Sequence, residues 1–128
     1  MTTIHLETWL ASFSLEPFLK THIAAVFIAL PDEVRTDFVS DPSFNLCDYE
    51  PSLAPAQITV RSPSAKGPSR SVVLKRTLRR RPDNFIRWVI AHELAHAHLR
   101  NAGRHQGEDP EYAADSLAAD WGFPRPQQ

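Results

Sequence analysis

Residues 82–103 have the sequence PDNFIRWVIAHELAHAHLRNAG, and this segment determines how the last third of the chain folds. Pro82 followed by Asp83 is a typical helix start, because proline breaks the preceding element and an acidic residue can accept bonds from the first free N–H groups. Apolar residues then recur at helical spacing as far as Gly103, a common helix terminator. The segment therefore predicts one long helix.

A second helix is predicted shortly after the first. Asp109, Pro110 and Glu111 combine an acidic cap, a proline at the first helical position and an acid near the positive end of the helix dipole. This helix should extend to Trp121, where Gly122 ends it. A connection of about six residues is short enough to fold the second helix back against the first.

The first helix carries His92 and His96, four positions apart. Four residues turn a helix by about 400° and rise about 6 Å, so both imidazoles leave one face and can reach one zinc ion at about 2.0–2.1 Å. Glu93 lies about 100° round the helix from His92, where its carboxylate can take a proton from a metal-activated water. The alternative interpretation is a buried helix with two incidental histidines.

A catalytic zinc site has three protein ligands and one open position, so a third ligand is required. Glu111 is the best candidate, because it lies in the first turn of the following helix. Asp115 lies one turn further on the same face and is placed to hold the other ring nitrogen of a histidine ligand. We therefore predict one Zn²⁺ per chain, with direct ligation by Asp115 as the main alternative to Glu111.

The first forty residues predict three helices. Helical spacing indicates one helix from Thr3 to about Phe13 and another over residues 14–30, with Ser14 as its cap and Pro17 in its first turn. A short third helix should start at residues 31–33 and stop before Pro42.

The middle of the chain predicts a small sheet. Residues 41–56 contain several prolines and little periodicity, so we interpret them as an extended loop. Residues 57–61 alternate like a strand, and residues 71–78 are rich in β-branched side chains. Together they predict an antiparallel hairpin, and the fold class is α+β: a small antiparallel sheet packed on the two C-terminal helices, with the N-terminal helices beside them.

Size and composition predict one domain over residues 1–128. The chain is 42% apolar and 23% charged, an ordinary balance for a globular protein, and its net charge of −1 does not indicate nucleic acid or a membrane surface. The longest strongly apolar stretch, Ile23–Leu30, is too short to cross a bilayer, and the N-terminus does not resemble a signal peptide. A soluble cytoplasmic protein is expected, and its single cysteine, Cys47, cannot form an intramolecular disulfide.

Basic residues are concentrated in residues 61–81, which contain eight of them and no acidic residue. Such runs usually lie on solvated surface. The alternative is a patch for an acidic partner or nucleic acid, but the interleaved aromatic residues that would favour nucleic acid are missing.

Residues 85–123 resemble the gluzincin metallopeptidases. HELAH at 92–96 followed by EYAADSLA at 111–118 is similar to the signature His-Glu-(Leu/Phe)-(Ala/Gly)-His … Glu-(Phe/Tyr)-x-Ala-Asp-x-x-Ala of the CAAX-prenyl-type endopeptidases and the small minigluzincins. The segment is also similar to the ImmA/IrrE-like peptidases. The resemblance implies His92, His96 and Glu111 as zinc ligands, Glu93 as general base and Asp115 as the residue that supports a ligand.

The resemblance also implies how a substrate binds. In this family a peptide adds as a strand to the edge of a small sheet, here within residues 71–78. The expected function is a zinc metallopeptidase acting on a peptide or protein substrate. The alternative is a metal-stabilised binding or regulatory module that cleaves nothing. The sequence does not predict the cleavage specificity or the oligomeric state.

Three further features are interpreted from the sequence alone. His98, two residues from His96, should point to another face of the helix and be a surface or partly buried histidine. Trp88 and Trp121 are assigned to the core and not to a substrate platform. The proline-rich tail, residues 124–128, is hypothesised to cover the cleft.

Overall fold

A computed structural model describes residues 3–49, 70–102 and 110–126. Within these ranges the protein is a small α+β fold with a two-stranded sheet. The helices are α1 (Thr3–Ala11), α2 (Pro17–Ala29), α3 (Asp32–Val39), α4 (Asp83–Ala102) and α5 (Pro110–Asp120). The strands are β1 (Phe44–Tyr49) and β2 (Arg70–Lys75), and a 3₁₀ helix, Arg76–Arg80, follows β2. None of the helices in the described part of the chain combines the length and apolarity needed to cross a membrane.

The helix starts follow the prolines and acidic residues of the sequence. α4 and α5 begin at Asp83 and Pro110, as predicted. The predicted start of α2 at Ser14 is wrong, because Glu16 occupies the cap position and Pro17 the first turn. Proline has the backbone φ of a helix and lacks the N–H that would be unpaired there, so the helix starts at this residue.

β1 corrects the prediction of an extended loop over residues 41–56. Phe44 and Leu46 are buried, whereas Asn45 and Cys47 are only partly buried, so strand alternation is present. The prolines on both sides of this short segment concealed the alternation, because prolines are unusual within strands.

The sheet also differs from its prediction, because β1 and β2 pair in parallel. The antiparallel hairpin is therefore not confirmed, and its first predicted strand, residues 57–61, lies outside the described residues. Parallel pairing requires a crossover of a dozen or more residues, and residues 50–69 provide that length between the strands. β2 also ends earlier than predicted, since the 3₁₀ helix takes the place of its last residues up to Leu78.

α4 lies at the centre of the described structure and packs against α2, α3, α5 and β2. Its fully buried residues form one face of the helix: Ile90, Ala91, Leu94, Ala95 and Ala97. Val72 and Leu74 of β2 and Ile23 and Phe27 of α2 belong to the same core. Because interiors pack as densely as organic crystals, α4 is a rigid support for the side chains on its other face.

Asp48, near the end of β1, connects three elements. Its carboxylate accepts a hydrogen bond from the backbone N–H of Glu16 at 2.5 Å and another from Nε of Arg76 at 3.0 Å. Its side chain is only 2% exposed. A buried carboxylate is stable only with such partners, so Asp48 fixes the start of α2 and the 3₁₀ helix against the sheet.

Asp48→Ala is expected to lower the free energy of unfolding by about 2–3 kcal/mol, because it leaves the Glu16 N–H without its acceptor and removes the closer of two carboxylates that pair with Arg76. Urea denaturation should measure the loss. Asp120→Ala, at an exposed residue of α5, is the control and should change the value by no more than about 0.5 kcal/mol. Equal denaturation midpoints for the two variants would contradict the role of Asp48.

Burial raises the pKa of the Cys47 thiol, and the neighbouring charge of Asp48 raises it further. The thiol therefore remains protonated near neutral pH. Because the thiolate is the nucleophilic form, Cys47 does not have the environment of a catalytic cysteine.

Part of the basic stretch over residues 61–81 has structural contacts. Arg76 pairs with Asp48, and the Arg81 guanidinium lies 4.0 Å from the centroid of the Phe85 ring. Arg79 and Arg80 are exposed at the end of the 3₁₀ helix. Residues 61–69 lie outside the described part of the chain.

Candidate metal centre

The packing of α5 against α4 brings the predicted site residues together. His92 and His96 leave one face of α4, and Glu111 reaches them from the first turn of α5. Asp115, one turn further along α5, contacts His92 as well. The contact between the two helices therefore forms the centre.

Three potential ligands converge within hydrogen-bonding distance. The Nε2 atoms of His92 and His96 are 3.2 Å apart. The Glu111 carboxylate contacts both, with Oε2 2.9 Å from His92 Nε2 and Oε1 3.0 Å from His96 Nε2. Ligand atoms of a tetrahedral zinc site with bonds of about 2.0–2.1 Å lie about 3.3 Å apart. The three side chains thus have nearly the spacing of three corners of a zinc tetrahedron.

The hydrogen bond from His92 to Asp115 determines which ring nitrogen can bind a metal. His92 Nδ1 lies 2.8 Å from Asp115 Oδ1, and an ionised carboxylate only accepts, so Nδ1 must donate. In the neutral imidazole, Nε2 then has a lone pair. This Nε2 atom lies 2.9 Å from Oε2 of Glu111, and two acceptors at this distance repel unless a proton or a cation lies between them. The donor set therefore fits a divalent cation.

The centre lies at the surface with its histidines embedded. The His92 and His96 side chains are 10% and 17% exposed, whereas that of Glu111 is 70% exposed. A cation held there would be fixed by packed imidazoles on one side and would remain accessible from the side of Glu111.

Glu93 is partly buried on α4, adjacent to His92 in the chain. Among the side chains that the structure describes, no basic residue forms an ion pair with its carboxylate. A carboxylate that is not neutralised by a cation is available to accept a proton. Its role as general base stays a prediction.

The sequence analysis did not predict two contacts of Asp115. Trp88 Nε1 donates to Asp115 Oδ1 at 3.2 Å, and Arg125 Nη1 lies 3.9 Å from Oδ2. Trp88 is only partly buried, so its assignment to the core was incomplete. Its place one helical turn before His92 was the signal that could have identified it. No sequence signal indicated Arg125, because its contact depends on the path of the chain after α5.

His98 lies apart from the centre and is buried, not at the surface. Its Nδ1 is 2.7 Å from Asp37 Oδ2 of α3, and its ring contacts Phe38 edge to face. This pair joins α3 to the side of α4 that faces away from His92 and His96. A buried polar pair of this kind is a packing feature and supplies no further ligand.

Glu111 and Asp115 contact different ring nitrogens of the two histidines. Glu111 contacts both Nε2 atoms, whereas Asp115 contacts only Nδ1 of His92. The chain has no match among protein-family models, curated proteins or solved structures. The function is therefore inferred from the arrangement of these side chains.

Proposed function

We propose that the protein is a zinc-dependent metallopeptidase with one Zn²⁺ per chain, held by His92, His96 and Glu111. The observation that carries the proposal is the convergence, at 2.9–3.2 Å, of the Glu111 carboxylate with two imidazole nitrogens of the helix that also bears Glu93. Two neutral imidazoles and a carboxylate are a common ligand set for catalytic zinc. A zincin-like packing of the sheet and α5 around α4 is part of the proposal.

Each residue of the centre has a chemical task in this proposal. A bound zinc ion would act as a Lewis acid that polarises the scissile carbonyl and acidifies water. Glu93 accepts the proton of the attacking water and delivers it to the leaving amine. Asp115 keeps the His92 proton on Nδ1, so that the Nε2 lone pair remains available.

The sheet suggests how a peptide substrate binds. β2 packs directly against α4, so a peptide that adds to this sheet as a further strand would run beside the helix that bears Glu93. Main-chain hydrogen bonds would hold an extended segment with little dependence on its side chains. We therefore propose an unstructured segment of a peptide or protein as the substrate class.

A second candidate is a metal-stabilised module without catalytic activity. It is favoured by the position of the centre across α4 and α5, because a metal there would cross-link the two helices and contribute to folding. Such a module has no use for Glu93. The two candidates therefore differ in the consequence of changing this one residue.

Zinc removal is expected to abolish hydrolysis, and zinc readdition to restore it. Purified protein should contain one zinc ion per chain by elemental analysis, and a chelator should lower cleavage of unfolded casein to the background rate. A Glu93→Gln preparation made in parallel controls for contaminating proteases. Protein that contains no zinc after growth in zinc-supplemented medium, or cleavage that survives chelation, would contradict the proposal.

A further inference from the structure

The chain after α5 turns back toward the metal centre. Gly122 has a positive φ of 101°, the Phe123 N–H bonds to the Ala118 carbonyl at 2.9 Å, and the Gly122 N–H bonds to the Ala119 carbonyl at 3.0 Å. These bonds form a Schellman motif, which requires a residue that tolerates left-handed backbone geometry. Because of this turn, Arg125 returns to Asp115 near the middle of α5.

Each oxygen of the Asp115 carboxylate has its own partners. Oδ1 accepts from His92 Nδ1 at 2.8 Å and from Trp88 Nε1 at 3.2 Å, whereas Oδ2 lies 3.9 Å from Arg125 Nη1. The Arg125 guanidinium also lies 5.2 Å from the centroid of the Trp88 ring, which is within the range of a cation–π contact. Trp88, Arg125 and Asp115 therefore form one connected group.

We infer that Trp88 and Arg125 are positioning residues that orient Asp115 and, through it, the metal-binding face of His92. The inference rests on the proposed metal site. Trp88 restricts rotation of the Asp115 carboxylate, because it donates to the same oxygen, Oδ1, that His92 contacts. The centroids of the Trp88 and His92 rings also lie 5.4 Å apart. Residues that hold a ligand's supporting carboxylate matter because a misaligned imidazole loses overlap with the metal.

Arg125 orients the Asp115 carboxylate less strongly than Trp88 does. Its side chain is 71% exposed, so water and salt weaken its attraction to Asp115. It approaches the centre from the Nδ1 side of His92, whereas Glu111 lies on the Nε2 side. The tail up to this residue therefore lies on the Nδ1 side of His92, and the hypothesis that residues 124–128 cover the cleft stays a prediction.

Zinc affinity tests the inference without any measurement of activity. Trp88→Phe keeps an aromatic ring but removes the N–H donor, and competition with a chromophoric chelator should show about a 10-fold weaker zinc affinity. Arg125→Gln should weaken the affinity by about 3-fold, less at high salt. Trp9→Phe and Arg79→Gln are the matched controls, because Trp9 packs against Phe13 and Phe27 and Arg79 is exposed, and neither should change the affinity.

A second readout, on metal-free protein, separates positioning from a general loss of stability. Histidine ¹⁵N chemical shifts report which ring nitrogen carries the proton, and Trp88→Phe should convert His92 of the metal-free protein from one dominant tautomer to a mixture of two, whereas Trp9→Phe should not. If wild type binds no zinc, the proposed function fails and the inference with it. If wild type binds zinc and the Trp88 and Arg125 variants match their controls in affinity and tautomer, only the inference is overturned.

Discussion

Glu93→Gln is expected to leave zinc bound and to lower the rate of peptide hydrolysis by about 10²–10⁴-fold, the usual contribution of a general base. Glutamine keeps the size of the side chain but cannot accept the proton of the attacking water. The ligand atoms are on other residues, so their spacing of 2.9–3.2 Å should persist. The variant therefore separates catalysis from metal binding.

Elemental analysis and a casein-cleavage assay on the same preparation measure both quantities. Glu7→Gln, at an exposed position of α1, makes the same chemical change away from the centre and should keep full activity. If Glu93→Gln cleaves casein as fast as wild type, Glu93 is not the base. If wild type itself cleaves nothing although it holds zinc, the module without catalytic activity becomes the better description.

Removal of one of the proposed zinc ligands is expected to cause a large loss of zinc affinity. His96→Ala and Glu111→Ala should each weaken zinc binding by on the order of 10²–10³-fold, since a structural zinc site with four protein ligands gains about 10–16 kcal/mol, or about 2.5–4 kcal/mol per ligand. Asp115→Ala should weaken it by about 10–100-fold, because Asp115 acts only through His92.

Competition titration with a chelator gives these affinities directly. His22→Ala is the control, because His22 contacts Arg87 and Asp83 and none of the three ligands. An affinity of the Glu111→Ala variant near that of wild type, combined with loss of zinc in Asp115→Ala, would exchange the roles of the two acids.

The C-terminal helices were the most predictable part of the fold. Asp83 and Pro110 start α4 and α5 because local chemistry determines a helix start, and Gly122 ends α5 by its positive φ. The spacing of His92 and His96 then placed both imidazoles on one face for the same local reason. These features depend on residues within one or two helical turns of each other.

The features that sequence reasoning missed depend on residues distant in the chain. The alternation of Phe44 and Leu46 is short, and nothing in it shows that its partner is β2 or that the pairing is parallel. The pairing of His98 with Asp37 and the return of Arg125 to Asp115 result from the way separate elements pack. Hydrophobic pattern determines which face of an element is buried, but it does not determine which polar groups meet there.

The parallel strand pair also affects the order in which the protein folds. Phe44 and Arg70 become neighbours only after residues 45–69 have closed into a loop, and the entropy of loop closure opposes their pairing until then. The side chains of His92 and Glu111 are brought together by two consecutive helices, a more local contact that forms faster. A refolding chain can therefore bring His92 and Glu111 together before its sheet exists, and a zinc ion at the proposed centre would stabilise this early contact.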